Sequence, residues 1–265
     1  IYDAVFKQYG VIRATNMTEF LTVLKILSFK RVPASNEVLG LSNAGGIGVL
    51  LADELIKNNL QLITISEKTK KDIINRMGET HKITLHNPID VLGDASAFDY
   101  KQVIEATMKE KEVGSIIVLL TPQANTEITK TAQVIAEAQK KFNKPIYPLF
   151  MGEKSIEGSH LFFEDRRIAS FYKYDYLPQS LSKILRWKEY VKQEESTELS
   201  HLLRLSLMAN EGEIKNLLKV QQKKQFFNVI DSLDLLRFVD IPAAPYYFIE
   251  KDEDVYPVNR VRKVI

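Results

Sequence analysis

A chain of 265 residues, 45% of them apolar and 26% charged, is long enough for one large domain or for an ordinary domain with an appendage, and two units are expected. A formal charge of +2 gives no electrostatic case for nucleic acid or an acidic membrane, and no apolar run approaches the roughly 18 residues that span a bilayer. The lack of cysteine excludes disulfides, thiolate zinc sites and cysteine nucleophiles, which fits a reducing, cytoplasmic setting.

The first residues, IYDAVFKQYG, mix acidic and basic groups and are unlike a signal peptide. With no initiator methionine and an ending, NRVRKVI, that breaks off in an apolar and basic run, the chain reads as an internal fragment. Tyr2 to Tyr9 form a short helix stopped by Gly10, and Val11 to Ala14 an extended piece. Met17 to Phe29 read as a helix whose apolar face is Phe20, Val23, Leu24 and Leu27, with Thr15, Asn16 and Thr18 as candidate caps and Pro33 closing the segment. Glu37 to Leu55, EVLGLSNAGGIGVLLADEL, is an apolar strand, a glycine-rich turn and a helix. Leu60 to Ile65 is a second strand, Glu67 to Met77 a charged helix, and Asn87 to Ala95, NPIDVLGDA, a structured loop.

Phe98 to Lys111 is a helix, and Gly114 to Thr121, GSIIVLLT, is apolar throughout, as a strand buried on both faces of a parallel sheet must be. Pro122 and Gln123 turn the chain into a helix over Asn125 to Phe142. Lys144 to Met151 is a strand ended by Gly152, Glu153 to Phe163 a helix, Ile168 to Phe171 a short strand and Pro178 to Val191 a closing helix. This alternation predicts an α/β fold, a doubly wound and mostly parallel sheet with helices on both faces, whose ligands gather beyond the carboxyl ends of the strands. Residues 1–191 form that unit. Residues 192–224, rich in Lys, Glu and Gln with leucines at 199, 202, 203, 205 and 207, read as a helical linker. From 225 to 265 a second domain begins, with a helix around Ser232 to Val239, and is left incomplete.

Three stretches carry chemistry. In SNAGGIG, Ser42 and Asn43 present polar groups, and after Ala44 the glycines Gly45 and Gly46 allow positive φ or close backbone approach, so that N–H groups can face a phosphate or carboxylate; alternatively the glycines only permit a tight strand-to-helix turn and close packing. It is neither a dinucleotide fingerprint, since Leu51 occupies the third small position, nor a P-loop, since no Gly-Lys-Ser/Thr follows. In NPIDVLGDA, Asn87, Asp90 and Asp94 are polar, and Asp90 can orient a substrate amide, help hold a metal or form the turn. Thr121, Pro122 and Gln123 follow the most buried strand, so their helix start is a second candidate anion site, or is simply capped by Thr121 or Asn125. Two helix starts beyond adjacent strands can converge on one charge.

The four histidines, His81, His86, His160 and His201, lack a partner at ligand spacing, so no metal site is expected. His86 is the only one near a proposed site, where it reads as a ligand or as a solvated loop residue. Phe171, Tyr172, Tyr174 and Tyr176 either stack a base or cover the sheet edge, and Lys68, Lys70 and Lys71 form a solvated face.

Taken together, YDAVFKQYGVIRATNMTEF, SNAGGIGVLLADEL, NPIDVLGDA, the TPQ turn, KPIYPLFMG and LPQSLSKILRWKEY resemble the ADP-forming acyl-CoA synthetases, also called NDP-forming acetate–CoA ligases, of the succinyl-CoA synthetase superfamily. The resemblance runs from Tyr2 to about Tyr190, and SLDLLRFVDIPAAPYYFI resembles the beginning of the family's ATP-grasp domain, with Asp240 in place of the usual Gly. It implies a flavodoxin-like ligase domain from an enzyme that runs acyl-CoA + ADP + phosphate ⇌ carboxylic acid + CoA + ATP through an acyl phosphate and a phosphohistidine. The implied ligands of the parent enzyme are CoA, ATP or ADP, phosphate and Mg2+. The implied partners are its CoA-binding, phosphohistidine-bearing and ATP-grasp domains, in an oligomer.

The family's SHTG histidine segment is absent, so the catalytic histidine is expected upstream of Ile1. By motif position Thr121 to Gln123 correspond to the superfamily's phosphate-facing helix start, with Ser42 to Gly46 and Asn87 to Asp90 along the same edge. Ser42 and Ile47 stand where the family has Thr and Pro, which leaves the hydroxyl but removes proline's fixed φ. Two other readings are a non-catalytic acyl-sensing module of a fused protein acetyltransferase and a free-standing flavin-binding or phospho-receiver domain. Against the last, the chain lacks a Ser/Thr-rich phosphate loop, and Ser42 and Asn43 stand where a receiver needs acidic residues.

Overall fold

The six residues SIIVLL, Ser115–Leu120, are all buried, and they form the central strand of the molecule in a computed structural model that describes residues 2–78, 83–152, 154–196, 206–221, 229–238, 241 and 243. Side chains of a strand alternate between faces, so an all-apolar strand needs a helical layer on each side. Both layers are present. Ile116, Val118 and Leu120 enter one core cluster and Ile117 and Leu119 the other.

In chain order the first unit contains α1 (Tyr2–Gln8), α2 (Met17–Ser28), β1 (Glu37–Ser42), α3 (Gly45–Lys57), β2 (Gln61–Leu62), α4 (Glu67–Met77) and β3 (Ile89–Asp90). There follow α5 (Ala97–Thr107), β4 (Ser115–Leu120), α6 (Ile128–Lys141), β5 (Ile146–Phe150), α7 (Lys154–Asp165) and α8 (Leu177–Ser196). The strands are parallel in the order β2-β1-β4-β5, with β3 on the last two residues of β1. Leu39 and Leu41 of β1 face α4 to α7 through Ile73, Val103, Ile104, Ile135 and Phe163; Val38 faces α2, α3 and α8 through Ile26, Leu55 and Leu181. The fold is the doubly wound α/β sheet that the alternation predicts.

The structure departs from the sequence reading in three places. The expected strand Leu60 to Ile65 pairs only over Gln61–Leu62, because the carboxamide of Asn87 takes the next positions: it accepts from Gly40 N–H at 2.8 Å and donates to Val38 O at 2.8 Å and Ile63 O at 3.0 Å. Asn87 thus fills the gap between β2 and β3 like a missing peptide group. Helix α2 is rotated from the expected face, with Phe20 and Leu24 half exposed and Glu19, Thr22, Val23 and Ile26 buried. Glu19 is drawn inward by Lys183 and by Thr15, whose N–H and hydroxyl donate to it at 2.6 and 2.7 Å; Asn16 is the cap. Those contacts hold its carboxyl below the usual range although burial pushes the other way. Finally, Ile168 to Phe171 make one bridge, Phe171 to Leu149, in place of a strand.

The chain divides into units at 191/192, so the last residues of α8 fall in the second. In the second, α9 (Glu211–Gln221) and α10 (Val229–Phe238) are helical, and Ser206 Oγ and Asn210 Nδ2 donate to the last carbonyl of α10, that of Phe238, at 3.3 and 2.7 Å. The helix expected around Ser232 to Val239 thus starts three residues earlier and ends at Phe238. His81, Glu153, His201, the linker leucines 199, 202, 203 and 205, Asp240 and the YYFI segment lie outside the described residues. Among the described residues no helix is long and apolar enough to cross a membrane.

Candidate functional site

Because the strands are parallel, their carboxyl ends share one edge, where the residues after β1, β3 and β4 meet. Ser42, the last residue of β1, is buried, and its Oγ accepts from Ala44 N–H at 2.9 Å and donates to Ala44 O at 3.0 Å, which turns the chain. Asn43, also buried, reaches across to β4: Nδ2 donates to Thr121 O at 2.8 Å, while Oδ1 accepts from Thr121 N–H at 2.9 Å and Thr121 Oγ1 at 3.3 Å. This side chain adds one rung beyond the last backbone pair, Ser42 with Leu119.

Helix α3 begins immediately after. Ala44 is its N-cap, at φ −138°, with no side-chain cap bond, and the first bond of the helix is Gly48 N–H to Ala44 O at 2.9 Å. The N–H groups of Gly45, Gly46 and Ile47 have no backbone partner among the described residues, and Gly45 and Gly46 are exposed. These N–H groups lie at the positive end of a 13-residue helix, where the dipole favours negative charge. Neither glycine has a positive φ, so the turn does not use that freedom. What Gly45 supplies is clearance: a Cβ there would stand 2.6 Å from Asp90 Oδ2, whereas at Gly46 nothing lies within 4 Å.

Asp90 is paired with Ser42 through β3, and its Oδ1 accepts from Leu92 N–H at 2.9 Å, so its carboxylate lies against the start of α3. It complements the helix dipole and competes with any incoming anion. Asn87, expected on this edge, is consumed by the sheet.

The TPQ turn is not a helix start. Helix α6 begins at Ile128 rather than Asn125, after a loop in which Gln123 N–H donates to Thr126 Oγ1 at 2.8 Å. Pro122 lies against Gly152 and the Gln123 amide against Gly93. The N-cap of α6 is Glu127, whose carboxylate pairs with Lys130 and accepts from Ala97 N–H at 3.0 Å, the first residue of α5. Lys130 first, then Ala97 N–H, hold this carboxyl below its usual range. Ser96 and Asp99 close the rest of the α5 start with a capping box. The expected convergence of two helix starts therefore does not occur: α6 starts five residues beyond Gln123, and the Glu127 carboxylate beside it is turned to Lys130 and to the start of α5. The edge joins the open start of α3 to Thr121 through Asn43. Glu127 escaped the sequence reading; its signal was a carboxylate three residues before Lys130 at a helix start.

The other candidates lie elsewhere. His86 is exposed. His160 is buried, Nε2 donating to Phe150 O at 3.2 Å and Nδ1 accepting from Ser170 Oγ at 2.8 Å, with burial pushing its pKa down. Tyr172 stacks on it at 3.7 Å and Phe171 packs beside Tyr147, so these aromatics cover the sheet edge.

Residues 38–190 match the ligase-CoA domain family. A 4-hydroxybutyrate–CoA ligase (ADP-forming) of Nitrosopumilus maritimus is 28% identical over 194 residues, 72% of this chain and 27% of the relative. An acetate–CoA ligase (ADP-forming) of Methanocaldococcus jannaschii is 29% identical over 258 residues, 96% of this chain and 36% of the relative. The solved acetyl-coenzyme A synthetase 1 of Ca. Korarchaeum cryptofilum, in complex with phosphate and ADP, shares the fold at TM-score 0.67 and 24% identity, over 74% of this chain and 43% of that one. The chain thus spans less than half the length of each of these proteins.

Proposed function

Since the chain belongs to the ligase-CoA domain family, we propose that it is a working part of an ADP-forming acyl-CoA synthetase, and that its carboxyl edge holds a phosphoryl group during transfer. The reaction is acyl-CoA + ADP + phosphate ⇌ carboxylic acid + CoA + ATP. The group handled here is a phosphate carried on a histidine that another segment of the parent enzyme supplies. What supports this role is the uncapped start of α3, where Gly45, Gly46 and Ile47 aim free N–H groups outward. Fixed donors of this kind stabilise phosphoryl charge without reorganising as the charge moves.

Asn43 holds that start against Thr121, so the loop of Thr121 to Gln123 forms the second wall, and Ser42 fixes the turn. Asp90 plays the complementary part, because its carboxylate lies beside the helix start and repels a bound phosphate, which favours release over tight product binding. CoA, nucleotide and Mg2+ belong in this reading to neighbouring parts of a cytoplasmic, oligomeric enzyme. Residues 192–224 serve as a helical linker and 225–265 begin its ATP-grasp domain, in line with a match to the Methanocaldococcus ligase over nearly the whole chain.

The test is a titration of the isotope-labelled chain with inorganic phosphate, followed by amide resonances. Gly45, Gly46 and Ile47 are expected to shift together and saturably, with Ile128 unmoved. Shifts of equal size at the start of α6, or none at α3, would overturn the assignment.

A further inference from the structure

A cavity of about 490 Å³ lies between α1, the connection to α2, and α8, and shares no residue with the carboxyl edge. Its size is within the roughly 300–1,000 Å³ of small-ligand sites. Four cations, Lys7, Arg13, Lys183 and Arg186, line it against one acid, Asp3. Two of the four are committed: Arg13 pairs with Asp3, and Lys183 with buried Glu19 while donating to Arg13 O at 2.8 Å. Lys7 and Arg186 have no ion pair among the described residues and are exposed.

Beside them on the wall are Trp187 and Tyr190. The Tyr190 ring is seated on Gly10, at φ +60°, where a Cβ would collide with the ring, so no other residue lets the chain pass so close. Glu19, Lys183 and this glycine contact tie α2, α8 and the α1 connection into one frame, and the cavity is a preformed feature of it.

Unpaired cations next to a flat indole suit a ligand that is an aromatic ring at one end and an anion at the other. We propose that this cavity binds a nucleoside diphosphate, its base on Trp187 and its phosphates on Lys7 and Arg186, at a site separate from the phosphoryl edge and additional to the nucleotide and CoA sites of the neighbouring parts. The diphosphate is either a free nucleotide or the nucleotide end of a carrier such as coenzyme A. A carboxylate alone lacks the ring, and a neutral aromatic lacks the charge that the two cations call for.

Trp187 is the only tryptophan in the chain, so its fluorescence reports on this cavity and on no other place. The 265-residue chain is titrated with ADP, coenzyme A, adenosine and pyrophosphate. Saturable quenching by ADP or coenzyme A is expected, with adenosine and pyrophosphate each at least about tenfold weaker, since each lacks one half of the contact. The tighter of ADP and coenzyme A identifies the source. Lys7→Ala and Arg186→Ala, both at exposed positions that leave the core intact, each weaken binding about tenfold. Trp187→Phe removes the optical signal while calorimetry still detects binding. Absence of quenching by both nucleotides, pyrophosphate binding as tightly as ADP, or an Arg186→Ala chain that binds like the parent would each overturn the proposal.

Discussion

Two strand-to-helix connections on the same edge behave in opposite ways. From β1 the chain enters α3 after two residues, and no side chain caps the helix. From β4 it takes seven residues, Thr121 to Glu127, to reach α6, and the last of them turns its carboxylate to Lys130 and to the Ala97 N–H of α5, with no cap bond to α6 itself. The short connection leaves the N–H groups of Gly45, Gly46 and Ile47 without a backbone partner among the described residues, beside the carboxylate of Asp90. The longer connection folds back, so that Thr126 O accepts from Ile128 N–H at 3.0 Å and Glu127 reaches the start of α5.

The largest effect that can break this contrast is expected at Asn43, which ties the short connection to the long one. Asn43→Ala leaves the N–H and C=O of Thr121 without partners, and urea unfolding should show a loss of about 2–4 kcal/mol together with a weaker phosphate response. Next come the paired glycines. Gly45→Ala forces its Cβ against Asp90 and should cost about 1–2 kcal/mol and blunt the amide shifts, whereas Gly46→Ala, in open space, should gain about 0.5 kcal/mol and keep them. Equal effects at the two sites would show that clearance from Asp90 is irrelevant.

The smallest effect is expected at Glu127→Gln, read as a change in melting temperature. The folded carboxyl is held below its ordinary value of 4.5, so its contribution is present above that pH and fades as the pH falls through the lower folded value. The gap between variant and parent should therefore be clear at neutral pH and close in acid. If the variant also acquires phosphate-dependent shifts at Ala97, the Glu127 carboxylate alone keeps the start of α5 closed to an external anion.

Much of the edge could be read from residue order, because β1, β4 and the residues after them are contiguous. Ser42 to Gly46 do form a strand end followed by a helix, and Thr121 does lie beside them, whereas Pro122 and Gln123 lie against Gly152 and Gly93. Asn87 could not be read correctly: in sequence it is a loop polar residue next to Pro88, and only the paired strands reveal three backbone groups waiting for it. The face of α2 was misread for a related reason. Apolar spacing favours Phe20 and Leu24, but a buried Glu19 with a lysine partner on α8 outweighs it.

By itself the sequence determined the α/β class, the order of elements and the family, since apolar runs, helix periodicity and contiguous motifs are local properties. Only the tertiary structure decided where the polar side chains of the edge are spent. Each deciding hydrogen bond joins residues far apart in the chain, 78 positions for Asn43 to Thr121, 47 for Asn87 to Gly40 and 30 for Glu127 to Ala97. A buried or terminal polar group takes whichever partner the fold brings to it, and no local pattern encodes that choice.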